Sequence, residues 1–513
     1  MTRKGVITLV SFILSGVPAM CGDFQRGDNL LTVRLNRETA TERLRHGYLT
    51  SGAATMHFAD STNISTAALT ADIEKFEEPI IMQNGSGHNL FGLEVESSYK
   101  LSAASTVWGH AGYQTGTTRD ISFSDVIDYE TVAPYILGDD TGGNLKRQQY
   151  LFGGGWGRLF GAWSAGIQAD YKATIAHRAV DPRVRNIVSD LSVEAGGGRR
   201  IGANYMAALN CGVRIYQQDT DVDFYNPTVH AITKVFTGIG ETASRFSGAN
   251  AQSSTHKLTG FYGTLQFVPI GKQEGFYATG RVGLTNVDLI LDGYNNLKFG
   301  TTSTLTFGLN LSQFFRFGQF SFVPTLCGEG ARRTGTENLF GSSADNYEKI
   351  GERQNYSHDR YGATLSLPLT WQSDRADAAF EVNVQGGYHS DKESLKDPKS
   401  KLATDYATGA VDIGATKRFG NRWAAGVNAG YTGKFIATTS AELPGLDRES
   451  PEGEMAHHNY EMSACDASAM HIGATLSRAL STMVVSLSAK CVRHEYRHLN
   501  KGTDFYASLS LTF

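Results

Sequence analysis

Five pairs of aromatic residues stand eight positions apart: Phe91 and Tyr99, Trp163 and Tyr171, Phe380 and Tyr388, Trp423 and Tyr431, Phe505 and Phe513. Between the members of each pair, apolar and polar residues alternate. Trp163, Ala165, Ile167, Ala169 and Tyr171 interleave with Ser164, Gln168, Asp170 and Lys172; Phe380, Val382, Val384 and Tyr388 interleave with Glu381, Asn383, Gln385 and His389. Period two is the signature of a strand with one apolar and one polar face. Eight strand residues run about 26 Å. A tilt of roughly 40° projects that to about 20 Å, close to the height of the apolar band on an outer-membrane barrel. A sandwich core also buries apolar residues, but it has no reason to set aromatics at both ends of strand after strand. Lipid supplies that reason.

The same alternation predicts about 18 strands, near 65–77, 89–100, 105–117, 147–158, 162–176, 184–198, 201–217, 255–268, 274–291, 297–312, 318–332, 358–371, 377–389, 405–418, 422–434, 463–478, 482–496 and 502–513. Links after even-numbered strands are short, such as Arg199–Arg200 and Phe419–Asn421. Several after odd-numbered strands are long: Thr118–Lys146, Gln218–Ser254, Arg333–Ser357, Ser390–Thr404 and Phe435–Met462. Short periplasmic turns and long external loops are the pattern of an outer-membrane barrel. The expected fold is all-β: a transmembrane antiparallel outer-membrane β-barrel over 63–513, with both termini periplasmic. The last strand ends on Phe513 in mid-alternation, and this resembles the signal read by the barrel-assembly machinery, an expected partner along with outer-membrane lipid and lipopolysaccharide.

Composition agrees. Gly is 57 of 513 residues and Pro only 11, as suits a chain made of ladder-forming strands. Hydrophobic content is 41%, and no run of about 18 apolar residues follows the N-terminus, so no spanning helix is expected. A net charge of −4 argues against bulk nucleic-acid binding. Residues 1–22 read as a signal peptide: Arg3 and Lys4, an apolar core from Val6 to Val17, then Val17-Pro-Ala19 for cleavage. Cys21 opens a lipoprotein alternative that Pro18 and Met20 fit poorly. Residues 23–62 form an N-terminal arm, mildly helical over Asn36–His46, that either fills the lumen or lies in the periplasm. Cys211, Cys327, Cys465 and Cys491 are each expected within a strand as small wall residues, with no CxxC spacing.

Candidate chemistry is sparse. Asp219-Thr-Asp221-Val-Asp223 opens like a calcium loop but lacks its Gly and Glu, and reads as a solvated acidic loop. His457 and His458, with Glu454, fall in an external loop without a partner His. His494 and His498 are i, i+4, a shared face only on a helix, and here a strand is expected. Gly153–Gly155 and Gly196–Gly198 lack the Lys-Ser/Thr of a phosphate loop and read as relief of bending in a curved sheet. Asp181-Pro-Arg183, with Arg178 and Arg185, suggests an anion or sugar contact at the rim, or a salt-bridged loop that braces the rim or folds inward. No catalytic, metal or cofactor set stands out, and no enzymatic activity is expected.

The stretch Tyr171–Leu191, the preceding Ala133–Asn144 (APYILGDDTGGN) and the strand pair around Trp156 and Trp163 resemble a family of Bacteroidota outer-membrane barrels of unknown function. The resemblance covers most of the mature chain, the arm and the strand-borne Cys excepted. It implies a companion of TonB-dependent receptors or surface lipoproteins in nutrient or metal uptake, and carries over no functional residues. The inward face is expected to be polar and mixed in charge, with Glu94, Glu96, Lys100, Asp170, Lys172, Arg281 and Glu381. The expected role is a transport-linked channel or accessory component of a nutrient or metal uptake system; the alternative is a closed barrel presenting its long loops to a partner, with a membrane-embedded hydrolase the least favoured reading. The first two part on whether the arm or the loops block the lumen.

Overall fold

The computed structural model describes residues 27–226, 232–248, 252–271, 274–341, 347–373, 375 and 377–513. The expected signal peptide, with Arg3, Lys4 and Cys21, lies outside them. The wall is a single antiparallel sheet that closes on itself. In chain order its strands are β1 (Ile64–Phe76), β2 (Gly87–Ser102), β3 (Ser105–Ile121), β4 (Gly143–Phe160), β5 (Trp163–Arg178) and β6 (Arg183–Ile201). There follow β7 (Tyr205–Asp223), β8 (Gln252–Pro269), β9 (Gly275–Leu291), β10 (Leu297–Phe317), β11 (Phe320–Phe322 with Thr325–Phe340) and β12 (Lys349–Gln372). The last are β13 (Ala378–Lys396), β14 (Lys399–Phe419), β15 (Trp423–Glu442), β16 (Ala467–Ala479), β17 (Val484–Tyr496) and β18 (Asn500–Thr512). Both pieces of β11 pair with β10 and β12, so they are one wall strand interrupted at Val323-Pro324. Pro324 has no N–H for the ladder. The wall therefore has 18 strands, and β1 closes it on β18 from Thr66↔Thr512 to Phe76↔Gly502.

Register fixes the faces. Phe261 and Leu265 on β8, Leu305 and Phe307 on β10, and Met470 and Ile472 on β16 point outward and are exposed. The aromatics Phe91, Trp163, Tyr171, Phe380, Tyr388, Trp423, Tyr431 and Phe505 do the same. Each Leu or Phe left in water forgoes roughly 1.5–3 kcal/mol of burial. A belt of such residues around the whole wall is stable only against lipid.

Several expected external loops are strand instead. β13 and β14 stay paired up to Lys396↔Lys399, so Ser390–Thr404 is the top of a tall hairpin. β11 and β12 take up most of Arg333–Ser357, and β15 runs to Glu442 before helix α3 (Pro451–Ser463). Above the lipid both faces of a strand meet water, so the outward apolar signal stops while the ladder continues.

Candidate functional site: the lumen and what fills it

The arm spans the lumen at the short-turn end. Helices α1 (Gly27–Glu38) and α2 (Ala40–Thr50) extend beyond the expected helical stretch. They are separated by Thr39, whose side chain caps α2 by accepting from the Glu42 N–H at 3.4 Å. Leu30, Leu31 and Leu35 of α1 pack on Ala424, Ala479 and Val484 of the wall. Arg34 donates to Ser510 and Thr512, and Arg418 donates to Thr32. On α2, the Ala40 N–H donates to Glu381, and the Tyr48 hydroxyl meets Ser312 at 2.7 Å. After α2 the chain runs along the wall. The Ala53 and Ala54 N–H groups donate to Glu194 at 2.8 Å and Asn210 at 2.9 Å, and Gln266 donates to the Tyr48 carbonyl, Ser51 and Thr55. His57 meets Thr106 at 2.7 Å, and Lys100 reaches the His57 carbonyl. Contacts thus run from β2 round to β18.

The glycines of β4–β6 make this possible. A Cβ at Gly166 would lie 2.1 Å from the Ala53 carbonyl oxygen, and one at Gly155 would lie 2.3 Å from the Trp108 ring. Of Gly153–Gly155 and Gly196–Gly198, expected to relieve sheet bending, the inward-facing Gly153, Gly155, Gly196 and Gly198 also clear inner-wall space for the arm and the side chains beside it.

Burial, then nearby Lys100, lowers the His57 pKa to about 4 from an ordinary 6.5. Burial, Arg37 and Arg45 do the same to His46. A docked arm therefore keeps both imidazoles neutral, whereas a free arm takes up protons near pH 6.5. Docking is at full strength above that pH and weakens as pH falls toward 4. A spin label at Gly47→Cys, where the side chain meets open space, should gain mobility between about pH 6.5 and 4.5. An unchanged spectrum over that window would contradict the assignment.

Loops from the other end fold inward. The β3–β4 loop enters the lumen, and its strand Ile136–Gly138 pairs with Lys234–Gly238 of the β7–β8 loop. Phe123, Val126, Val132, Ile136 and Phe236, with Met455 of α3, pack on Val188, Tyr216, Leu258 and Val287. These wall residues point inward on β6–β9 and form an apolar patch on an inner face that also carries the buried polar Asn186, Gln218 and His256. The clamp is Arg178, at the end of β5. It donates to Asp139 at 2.8 Å and Asp125 at 3.1 Å, all three side chains being fully buried. Burial and the Asp139 carboxylate push the Asp125 carboxyl well above its ordinary range. Asp139, although buried, is held below its own by Arg178. Of the two readings of the arginine cluster, Arg178 takes the inward-folding one. Arg183 stays at the rim, paired with Asp181 at 2.9 Å and stacked on Tyr225 at 4.1 Å. Asp139 lies within the Ala133–Asn144 stretch, so that motif forms the inward fold. Asp125 carried no sequence signal.

Two of the cavities left in the lumen are similar in size. One, of about 510 Å³, lies against β11–β17 and is lined by Tyr129, Arg333, His358, Arg360, Asp391 and Lys434, among others. The other, of about 470 Å³, lies against β3–β10 and includes His110, Asp170, Lys172, Arg214 and Arg281; both touch Glu130 and Arg333. Charges are mostly paired: His358 with Asp391 at 2.7 Å, Lys172 with Asp128 at 3.2 Å and Asp190 at 3.7 Å, Arg214 with Asp190 at 2.9 Å. Glu94, Glu96, Lys100, Asp170, Lys172, Arg281 and Glu381 all face inward, in register with one another. The inner face therefore carries charges of both signs.

The other candidates do not converge. Asp219, Asp221 and Asp223 lie on β7, not in a loop; Asp219 accepts from Thr255 at 2.9 Å. His457, His458 and Glu454 lie on α3, and His458 bonds to the Pro79 carbonyl at 2.6 Å. His494 pairs with Asp504 across β17–β18 at 2.9 Å, while His498 sits in the following turn. Cys211 and Cys491 face lipid and Cys327 faces inward, but Cys465 follows α3 in a loop and is buried, not in a strand. Among the described residues, no group of three or more His, Cys, Asp or Glu is placed to hold a metal ion.

Residues 53–513 match a family of unknown function, DUF6850. The match begins at Ala53, so the final arm segment falls within it. No curated protein matches the chain. Similar solved structures include the ferric enterobactin receptor of Pseudomonas aeruginosa, at 8% identity, covering 88% of this chain and 81% of that one, with a TM-score of 0.40. The ferric citrate transporter FecA (12%, 88% and 79%, 0.37) and the monoaromatic hydrocarbon channel CymD (11%, 91% and 92%, 0.31) are others.

Proposed function

The chain belongs to DUF6850, a family of unknown function, and from that starting point we propose that it is a gated, transport-linked barrel of the bacterial outer membrane. The arm is its removable seal, with the short turns and both chain ends on the periplasmic side. One observation carries this reading. The inward loops pack on β6–β9, cavities of about 510 Å³ and about 470 Å³ remain in the lumen, and the arm crosses the short-turn end. The arm is held by apolar packing, Leu30, Leu31 and Leu35 on Ala424, Ala479 and Val484 and Tyr48 and Leu49 on Met206, Val268, Tyr277 and Phe314, together with hydrogen bonds to the wall that water can replace. The hydrogen bonds contribute about 1 kcal/mol each, so that part of the seal is readily exchanged for water. A role beside a TonB-dependent receptor or surface lipoprotein in nutrient or metal uptake belongs to the same proposal, since displacing the seal calls for a partner.

In planar bilayers the intact protein is expected to be nearly silent. Urea, at concentrations that leave the 18-strand wall folded, should raise its conductance reversibly as the arm detaches. Silence up to the point of wall unfolding would count against the gate. A second reading, a scaffold that presents external structure to a partner, draws on the tall hairpins. β12 has 24 residues and β14 has 21, where roughly 9–11 span a bilayer.

A further inference from the structure

Two patches on the outer wall at the short-turn rim share one layout. In the first, Arg158 and Phe160 of β4 lie on the same face, Phe160 stands opposite Trp163 of β5, and Trp163 stands opposite Arg199 of β6. In the second, Lys417 and Phe419 of β14 take the places of Arg158 and Phe160, Trp423 of β15 that of Trp163, and Arg478 of β16 that of Arg199. The cations sit over the rings: Arg158 on Phe160 at 5.3 Å, Arg199 on Trp163 at 5.1 Å, Lys417 on Phe419 at 5.8 Å and Arg478 on Trp423 at 4.9 Å. All eight side chains are exposed, and above them on the same face run Ala165 and Ile167, or Ala425 and Val427, of the lipid-facing belt.

We propose that each patch binds the phosphate of an anionic diacyl phospholipid in the leaflet at the short-turn rim. The occupant has to be lipid, because the patch ends an apolar wall that lies against acyl chains. The headgroup has to be anionic, because two cations converge there. A guanidinium offers a planar fork matched to phosphate oxygens, and stacking on a ring holds that fork in place before binding. Basic residues at this depth attract anionic headgroups. Asp377 lies within electrostatic reach of Lys417, and the first patch has two guanidiniums, so the first patch is the stronger.

The test is native mass spectrometry of the purified full chain with phosphatidylglycerol and phosphatidylcholine of equal chain length. The intact protein should retain two phosphatidylglycerol molecules in preference to phosphatidylcholine. Arg199→Gln should reduce that preference about fivefold and remove one bound lipid; Arg199→Gln with Arg478→Gln should remove both. Arg199→Lys, which keeps the charge, should retain most of the preference. Heat-modifiable electrophoretic migration shows that each variant is folded. Equal retention of the two lipids, or a preference that survives the double substitution, would overturn the proposal. So would displacement of phosphatidylglycerol by excess inorganic phosphate, which would mark a bare anion site.

Discussion

Arg178→Met is expected to release the β3–β4 loop from the lumen while leaving the wall intact. Met keeps most of the volume and removes the charge. Asp125 and Asp139, both fully buried, then have no cation between them. Removing one partner from a buried ion pair costs about 3–5 kcal/mol, because the remaining charge is stranded. The loop has apolar packing from Phe123, Val126 and Ile136, but its backbone path is set by the clamp. The Phe123 N–H donates to the Asp139 carbonyl and the Asp125 N–H to that of Leu137. Hydrogen exchange at these two amides reads the release directly. The two carboxylates are not equivalent. Asp125 is already pushed toward its neutral form by burial and by Asp139, so Asp125→Asn should change little. Asp139, held ionised by Arg178 and also accepting from the Gly142 N–H at 2.9 Å, should behave like Arg178 when changed to Asn. Unchanged protection in Arg178→Met, or equal effects of the two Asn substitutions, would refute this account of the clamp.

The wall was legible in the sequence because its signal is local. An outward apolar residue every second position, with an aromatic at each end, needs no knowledge of the rest of the chain, and β5, β13 and β15 lie where that pattern places them. The tops of β13 and β14 were missed because the pattern records lipid contact, and Ser390–Thr404 stands above the lipid. The filling of the lumen was illegible for a different reason. Arg178 meets Asp125 and Asp139 from 53 and 39 positions away, and no periodicity encodes such a meeting. A trace of it exists all the same: Ile187-Val188 and Ile215-Tyr216 put apolar residues on both faces of their strands, and the inward member of each pair is where the loops pack. The arm had a comparable trace in Thr39-Ala-Thr-Glu42, a capping box that starts α2, and in the small Gly52-Ala-Ala54 that fits against the glycines of β4–β6.

Gly166→Val should open the barrel with the arm still attached. Its Cβ would lie 2.1 Å from the Ala53 carbonyl oxygen and 2.5 Å from the carbonyl carbon. Both belong to backbone, which cannot rotate out of the way as a side chain can. The segment Gly52–Thr55 must therefore leave the wall, losing the bonds from Ala53 to Glu194 and from Ala54 to Asn210. A bond to a charged acceptor contributes about 1.5–3 kcal/mol and a neutral one about 1, so the seal should weaken by roughly 2–4 kcal/mol. The β5 ladder is untouched, since Val suits a strand.

The most direct measurement is planar-bilayer conductance of three forms of the refolded protein: intact, Gly166→Val, and lacking residues 23–62. The account predicts near silence from the first, intermittent openings from the second and large steady conductance from the third. Silence from the form without the arm would contradict a gated pore. Steady conductance from the intact protein equal to that of the form without the arm would contradict the arm as its seal.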